Sequence, residues 1–273
     1  MGLITLLTDF GIQDEYVGVM KGVIAGIAPD ARVIDITHQI PPQNIVQGAF
    51  ILAAAYPYFP VGTIHVAVVD PGVGTSRRLI GLACNGHRFL APDNGLLEKV
   101  VAGQPEPSAV ALENRRFFHE PVSRTFHGRD ILAPMAAHLA AGCRLTDLGP
   151  AIDRQSMVSG VIPLYRRVSE RCIQGCVVAV DRFGNLMTNI DAAAVASLQR
   201  DADHGELAVE VNGTPVGSPV KAYGDVPFNC LLAIFGSRNL LEIAVNGGNA
   251  RELLGVDVHA EVHVRLFLQN PKD

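Results

Sequence analysis

The first half of the chain alternates short, almost continuously apolar segments with longer segments in which apolar residues recur at helical spacing. The short segments predict strands and the longer ones predict helices. The predicted strands cover residues 3–8, 32–37, 63–69, 79–84 and 87–91, and the predicted helices cover residues 15–27, 44–56 and 129–141. Strands that are apolar on both faces belong in a sheet that is covered on both sides. The pattern therefore favours an α/β domain with a parallel sheet.

The pattern changes after residue 148, where Gly149-Pro150, a polar stretch and Pro163 predict a domain boundary. Beyond this boundary, helical spacing is scarce, and Asn-Gly turns separate some of the strand-length segments. These segments cover residues 174–180, 186–190, 206–211, 231–235, 241–245 and 261–267. Short strands joined by such turns are typical of a small barrel or a sandwich. We therefore predict two domains, residues 1–155 and 165–273.

Composition narrows the class of protein. The formal net charge of −5 argues against a nucleic-acid-binding protein, which would normally carry a basic stripe. No segment of the sequence is apolar for long enough to cross a bilayer. The short apolar N-terminus predicts a buried first strand rather than a signal peptide. Five cysteines without disulfide-like spacing indicate reduced thiols in a cytoplasmic protein.

Two stretches carry residue types that can hold and deprotonate a water molecule. Asp70 ends a predicted strand and Arg77 follows a glycine-rich turn, while His127 stands at the entrance to a predicted helix. The carboxyl ends of strands in α/β sheets are where ligands bind. Neither stretch contains a phosphate-loop or dinucleotide fingerprint. Taken singly, each also has a plainer interpretation, a structural turn for Asp70 and a solvated loop histidine for His127.

Other polar residues stand at turns and allow two interpretations each. Asp9 follows the first strand and could accept hydrogen bonds from a ribose diol or cap a turn. Asp14 and Glu15 precede a helix, and capping is the simpler interpretation for both. Phe183 and Asn185 could face a flat ring and an adenine edge, or form a β-turn with a core phenylalanine. Carboxylates that could furnish metal ligands together with His127 are Asp9, Asp14, Asp70 and Asp93. No tight ligand pairing such as His-Glu-x-x-His accompanies them, so metal-dependent hydrolysis is the less favoured alternative.

Nine motifs spread over almost the whole chain form a set. They are LTDFG at 7–11, DEYVG at 14–18, MKG at 20–22, VDPGVGT at 69–75 with Arg77, APDNG at 91–95, TFHGRD at 125–130, DRFGN at 181–185, GSRN at 236–239 and NGGNA at 246–250. Jointly they resemble the S-adenosylmethionine (SAM) hydroxide adenosyltransferases, also called SAM hydrolases, which are related to the fluorinating and chlorinating enzymes.

The resemblance implies an N-terminal α/β domain joined to a C-terminal small β-barrel domain. It implies a homotrimer that holds SAM between the N-terminal domain of one subunit and the C-terminal domain of its neighbour. SAM is then the substrate, with no cofactor and no nucleic-acid or membrane partner. It implies that Asp70, Arg77 and His127 hold the attacking water. The other residues carried over are Asp9 for the ribose hydroxyls, Asp14, Asp181, Ser237 and Arg238 for the amino-acid end, and Phe183 and Asn185 for adenine.

The halogenating relatives carry an aromatic residue where this chain has Asp70, and a tyrosine where it has His127. An aspartate would repel a halide, by about 4 kcal/mol for unit charges about 4 Å apart at an effective dielectric of ~20. We therefore expect metal-independent hydrolysis of SAM to adenosine and L-methionine, by in-line attack of an activated water or hydroxide on C5′. Whether Asp70 or His127 is the base stays open. The alternatives are a 5′-halo-5′-deoxyadenosine synthase and a non-catalytic SAM- or adenosine-binding protein.

Overall fold

The apolar segments of the two halves build two separate sheets. The computed structural model describes residues 2–104, 108–200 and 205–268. The chain divides into two units, Met1–Ile162 and Pro163–Asp273. Within the described residues, the first unit holds a seven-stranded sheet and the second a nine-stranded one. The predicted domain limits, 1–155 and 165–273, stay a prediction.

The sheet of the first unit is mixed rather than purely parallel. Its strands are β1 (Leu3–Thr8), β2 (Arg32–Thr37), β3 (Ile64–Val68), β4 (Leu79–Cys84), β5 (His87–Pro92), β6 (Ser108–Ala111) and β7 (Ala151–Ile152), in the order β2-β1-β3-β5-β4-β6-β7. The parallel prediction holds for β2, β1, β3 and β5. A purely parallel sheet is wrong, because β4 pairs antiparallel with β5, and β6 and β7, for which the sequence predicted no strand, also pair antiparallel. For β4 and β5 the physical reason is the short turn at Asn85-Gly86, since a two-residue connection can join only antiparallel neighbours.

The helices of the first unit are α1 (Tyr16–Ile27), α2 (Ile45–Ala55), α3 (Glu98–Val101) and α4 (Ala133–Ala140). Asn44 caps α2, as its side chain accepts a hydrogen bond from the backbone N–H of Gln47 at 2.9 Å. The predicted helix 129–141 differs at its start, where Gly128–Leu132 forms a π-helical turn before α4. Pro134 has no N–H to donate to the carbonyl of Asp130, and that carbonyl accepts from the backbone N–H of His119 instead, at 2.8 Å.

The second unit is built almost entirely of strands. They are β8 (Arg166–Ser169), β9 (Cys172–Val180), β10 (Leu186–Asp191), β11 (Gly205–Val211), β12 (Thr214–Gly217), β13 (Pro219–Val220), β14 (Leu231–Phe235), β15 (Leu240–Val245) and β16 (Glu261–Leu268), with helices α5 (Ala192–Arg200) and α6 (Ala250–Leu254). Their order is β12-β11-β16-β9-β10-β15-β14-β13, with β8 beside β9. The path curls back on itself, because β12 lies against β14 and β11 against β13. The predicted small barrel is confirmed in this coarse form, as a sheet that nearly closes.

Short 3-10 helices complete the connections. They cover Tyr56–Tyr58, Arg115–Phe117, Leu145–Asp147, Arg154–Ser156 and Tyr223–Asp225. None of the helices within the described residues combines the length and the apolarity needed to cross a bilayer.

Register in the first sheet places two of the candidate carboxylates at the same edge. Thr8, the last residue of β1, pairs with Val68, the last residue of β3. Asp9 and Asp70 therefore both follow the carboxyl ends of adjacent parallel strands. The strands below this edge are anchored in the core by fully buried side chains such as Leu6 and Val66. A rigid sheet thus presents these carboxylates where α/β proteins bind ligands.

Candidate active site

The loop after β3 folds back on itself and brings Arg77 to Asp70. The backbone N–H of Val73 donates to the carbonyl of Asp70 at 3.2 Å, and the N–H of Thr75 donates to that of Gly72 at 3.1 Å. Gly74 has a φ of 79°, and a Cβ there would overlap the carbonyl oxygen of Arg124. Glycine is therefore required at this position both for its conformation and for the close approach of the neighbouring loop.

Asp70 and Arg77 form a chelated ion pair. The Nε of Arg77 donates to both carboxylate oxygens of Asp70 at 3.0 Å, and Nη2 donates to Oδ2 at 2.5 Å. The side chains are only 5% (Asp70) and 11% (Arg77) exposed, so solvent screens the pair weakly. The planar guanidinium fits a carboxylate in this way and fixes the orientation of both groups.

His127 joins this pair through the same guanidinium. Its Nδ1 lies 2.8 Å from Nη2 of Arg77. Because a guanidinium has no acceptor, Arg77 donates and Nδ1 accepts, so an uncharged ring carries its proton on Nε2. Burial, and secondarily the charge of Arg77, lowers the pKa of His127 below its ordinary value of 6.5, against the opposing influence of Asp70 and Asp130. The three residues together offer a carboxylate, a fixed cation and a neutral imidazole, which is a set able to hold and polarise water.

The two other candidates of the first unit, Asp9 and Asp14, form fewer side-chain hydrogen bonds. Asp9 accepts a hydrogen bond from the backbone N–H of Gln43 at 2.8 Å through Oδ2, and its Oδ1 receives none among the described residues. Asp9 thus holds the distant loop before α2 rather than capping the turn that follows it, and it keeps one oxygen available for a ligand. Of the two acids expected to cap α1, Glu15 occupies the N-cap position and Asp14 does not; no side chain accepts a hydrogen bond there, so neither forms a side-chain cap.

A metal-ligand set does not emerge from these carboxylates. Among the described residues, no group of three or more His, Cys, Asp or Glu side chains is placed to hold a metal ion. Asp93 is paired with Arg78 at 2.6 Å, much as Asp70 is paired with Arg77. Both carboxylates are thus committed to arginines.

The candidates of the second unit line one cavity of about 970 Å³. Asp181, Phe183, Asn185, Ser237 and Arg238 all contribute to its wall. The size is that of a pocket for a drug-sized or cofactor-sized ligand. The family resemblance assigned these five to the substrate together with Asp9 and Asp14 of the first unit, and the five lie together in the second unit.

The turn 181–185 is organised by Asp181. Its Oδ1 accepts from the backbone N–H groups of Phe183 at 2.8 Å and Asn185 at 2.9 Å, and its Oδ2 accepts from Asn185 Nδ2 at 2.9 Å. Gly184 has a φ of 81°, and a Cβ there would overlap the side-chain oxygen of Asn249. Phe183 is 74% exposed, so the alternative of a core phenylalanine is wrong and its ring is available to a ligand.

Arg238 stands in the turn between β14 and β15, next to Ser237. Its Nη1 lies 3.2 Å from the sulfur of Met187, a weak acceptor. No carboxylate of the described residues lies within salt-bridge distance of this guanidinium. Arg238 therefore keeps most of its donors for a ligand, and a carboxylate is the group that such a fork fits best.

Sequence reasoning missed four further polar residues of this cavity. They are Tyr223, Glu242, Asn249 and Glu252. Glu242 lies in the middle of β15, where no motif marks it, and Tyr223 lies in a short 3-10 helix between strands. Asn249 does fall within the NGGNA motif, which was the available signal for it.

Comparisons with known proteins point to the same family for both units. The family model described as the SAM hydroxide adenosyltransferase N-terminal domain matches residues 4–149, and that of the corresponding C-terminal domain matches residues 175–263. The chain is 41% identical over 254 residues to an (R)-S-adenosyl-L-methionine hydrolase of Salinispora tropica, covering 93% of this chain and 94% of that protein. It is 29% identical to a fluorinase of an Actinoplanes species, over 69% of this chain and 71% of that protein. A crystal structure of an uncharacterized conserved protein from Thermotoga maritima matches with a TM-score of 0.85 and 39% identity, covering 96% of this chain and 99% of that one.

Proposed function

The chain belongs to the SAM hydroxide adenosyltransferase family, and we propose that it hydrolyses S-adenosyl-L-methionine to adenosine and L-methionine. The observation that carries this proposal is the mutual contact of Asp70, Arg77 and His127 at the carboxyl edge of the first sheet. Simple ligand binding does not require such a set, whereas activation of water does.

In the proposed reaction, water attacks C5′ of the ribose in line with the departing sulfur. A C–O bond forms, the C–S bond breaks, and the electron pair of that bond leaves with a neutral thioether, so no general acid is needed. The water proton passes to Asp70 or His127, and Arg77 stabilises the developing hydroxide. A positioned base contributes about 10²–10⁴-fold to such a step. In-line positioning contributes further, because it converts a bimolecular encounter into a unimolecular step.

The two candidate bases differ in how the structure holds them. Both oxygens of Asp70 already accept hydrogen bonds from Arg77, and Nδ1 of His127 accepts one as well. Proton transfer to Nδ1 therefore requires the guanidinium to turn aside. A second lone pair on an Asp70 oxygen can receive the proton with the pair intact.

The remaining candidates are proposed to hold the parts of SAM. Asp9 offers a carboxylate oxygen to the ribose hydroxyls, and the exposed ring of Phe183 offers a stacking face to adenine. Asn185 would contact the adenine edge. The residues proposed for the amino-acid end are Asp14, Asp181, Ser237 and Arg238.

We also propose a cytoplasmic homotrimer in which the N-terminal domain of one subunit and the C-terminal domain of its neighbour share one substrate. The first unit supplies the water-activating set and the ribose carboxylate, whereas the second supplies the groups for adenine and methionine. Each unit thus carries only part of the required chemistry, which supports a shared site. Light scattering after size-exclusion chromatography measures the mass in solution, and a stable monomer with full turnover would contradict this arrangement.

One chromatographic assay tests the activity against its alternatives. The protein is incubated with SAM in the presence and absence of chloride, and separately with a metal chelator. We expect adenosine and L-methionine in equal amounts under all three conditions. A halogenated nucleoside would favour the halogenase alternative, binding without methionine release would favour a sensor, and loss of activity with chelator would refute the metal-independent mechanism.

A further inference from the structure

His38 is a buried histidine beside the turn of Asp9, and the sequence assigned no role to it. It directly follows β2 in the first unit. Its Nδ1 lies 2.9 Å from Oγ1 of Thr8, and its backbone carbonyl accepts from the backbone N–H of Gly11 at 2.7 Å. His38 therefore contacts the turn both before and after Asp9.

These contacts are the firmer anchors of the turn that presents Asp9. On the side of β3, the backbone N–H of Asp9 lies 3.4 Å from the carbonyl of Val68, which is longer than an ordinary N–H···O hydrogen bond. Oγ1 of Thr8 also accepts from the backbone N–H of Phe10 at 3.2 Å. Thr8 thus links the imidazole of His38 to the backbone on the far side of Asp9, so the geometry of the turn depends on His38 more than on β3.

Two charged side chains hold the imidazole from its other side. Nε2 of His38 lies 3.1 Å from Oδ1 of Asp35, an electrostatic contact without the alignment of a hydrogen bond. The other oxygen of Asp35 accepts from Nζ of Lys21 at 2.6 Å. Lys21 lies in α1 and belongs to the MKG motif, to which the proposed function gives no role. A chain of contacts therefore runs from α1 across β2 to the turn of Asp9.

Asp35 fixes which nitrogen of His38 carries the proton when the ring is neutral. Burial by itself would raise the pKa of Asp35, but Lys21 and His38 together lower it, so the carboxylate is charged. Because a charged carboxylate only accepts hydrogen bonds, the N–H of the ring belongs on Nε2, facing Asp35. Nδ1 then accepts from the hydroxyl of Thr8, whose oxygen keeps its lone pairs for the N–H of Phe10. One arrangement of protons thus serves the whole chain of contacts.

We propose that His38 is a positioning residue for Asp9, oriented by Asp35 and Lys21, and that the preference of the site for a ribose diol depends on it. The inference rests on the proposed function, in which Asp9 holds the ribose hydroxyls. His38 acts through Asp9 without touching the substrate. Its loss should therefore weaken ligands that carry the diol and spare ligands that lack it.

The test is calorimetric binding of adenosine and of 2′,3′-dideoxyadenosine, which lacks both hydroxyls. For His38→Gln we expect Kd for adenosine to rise about 3- to 10-fold, because the glutamine amide stands at the level of Nε2 and no longer meets Thr8. Kd for dideoxyadenosine should change less than about twofold, since its binding does not use Asp9. His38→Asn should restore most of the preference, because its amide stands at the level of Nδ1.

The matched control is His65→Gln. His65 is also buried, and its Nδ1 lies 2.7 Å from Oγ1 of Thr5, on the same strand as Thr8. Its Nε2 contacts His87 rather than the turn of Asp9. We therefore expect His65→Gln to leave both Kd values unchanged.

Two further comparisons keep the test decisive if a histidine variant does not fold. Thr8→Val and Thr5→Val each remove from β1 one buried hydroxyl that contacts a histidine, but only Thr8 adjoins Asp9. Thr8→Val should weaken adenosine about 3- to 10-fold and spare dideoxyadenosine, whereas Thr5→Val should spare both. The effect of His38→Gln should also vanish when Asp9→Ala is already present, because no carboxylate is left to position.

Equal effects of His38→Gln on both nucleosides, including no effect on either, would overturn the proposal. An effect that persists undiminished beside Asp9→Ala would also overturn it and give His38 a purely structural role. A wild-type protein that binds the two nucleosides equally has no diol site and overturns it too. Methionine release from SAM, assayed separately, distinguishes these outcomes from failure of the proposed function. A wild-type protein that prefers adenosine but releases no methionine keeps the diol site and loses the hydrolase assignment.

Discussion

Replacement of Asp70 by asparagine tests the contact on which the proposed chemistry depends. Asparagine has the shape of aspartate, but it removes the negative charge and places an amide donor against the donors of Arg77. The guanidinium would then stay almost buried with one acceptor at position 70 in place of two, beside Nδ1 of His127. The change therefore acts on stability through an uncompensated charge and on turnover through the loss of a water-holding carboxylate.

The two effects have different magnitudes. Breaking a buried ion pair by removing one partner costs about 3–5 kcal/mol. Because asparagine keeps one oxygen for the Nε of Arg77, we expect the lower end, about 3 kcal/mol in the free energy of unfolding. Turnover should fall about 10²–10⁴-fold, which is the contribution of a positioned base or water-holding group. Activity is thus expected to suffer more than stability alone would explain.

The measurements are urea unfolding and adenosine release, the latter at a temperature where the variant is folded. Asp93→Asn is the matched control, because Asp93 is 3% exposed and pairs with Arg78 of the same unit, through one of its oxygens. We expect this control to lose stability and to keep turnover. The reasoning is refuted if Asp70→Asn turns over like the wild type, or if both variants lose turnover to the same extent while folded.

Three further predictions follow from burial and backbone geometry. The lowered pKa of His127 keeps its ring neutral near pH 7. Turnover should therefore decline only as the pH falls below about 6.5, because the imidazolium can no longer accept a hydrogen bond from Arg77. This acidic decline should be missing from the pH profile of the residual activity of His127→Asn. Burial, aided by His87, lowers the pKa of His65 to about 3, so between its ordinary value of 6.5 and that value the unfolded chain binds a proton that the folded one does not. The free energy of unfolding should fall by about 1.4 kcal/mol per pH unit as the pH drops through this window. Urea titrations at several pH values should show that this dependence is weaker in His65→Gln. Parallel pH profiles of the variant and the wild type would contradict the assignment. Gly184→Ala should lower the melting temperature more than Gly213→Ala does. Both glycines have a φ of 81°, but only at position 184 would the added Cβ overlap another side chain, that of Asn249. Equal shifts in melting temperature would show that the overlap does not matter.

Much of the fold could be predicted from apolar patterning because that pattern is a local property. Buried strands such as β1 and β3 stand out as continuous apolar runs, and β4 and β5 end at the predicted residues or within one of them. The orientation of β4 could not be inferred from the same pattern, since an apolar run is equally compatible with parallel and antiparallel neighbours. The short turn between β4 and β5 carried the information for that pair, whereas β6 and β7 are short strands that the pattern did not predict.

Some residues of the candidate site are placed by local sequence and others by long-range contacts. Asp181, Phe183 and Asn185 belong to one turn, and a turn is legible in sequence because its residue types are set within a few positions. Glu242 reaches the cavity only through the register of β15 with its neighbours, which no local pattern encodes. A mid-strand carboxylate is ordinarily a solvent-facing residue, so nothing in the sequence separated it from that alternative.

Gly74 shows how a residue with a local appearance can have a long-range cause. In sequence it belongs to a glycine-rich turn, and a flexible turn would explain it. In the structure, its missing side chain is what allows the carbonyl of Arg124 to approach, three residues before His127. The contact between Asp70 and Arg77 lies within one loop, whereas the contact between Arg77 and His127 joins two loops that meet at this glycine. The VDPGVGT and TFHGRD motifs therefore act as one structural unit, and the site depends on their close approach as much as on the three charged or titratable side chains.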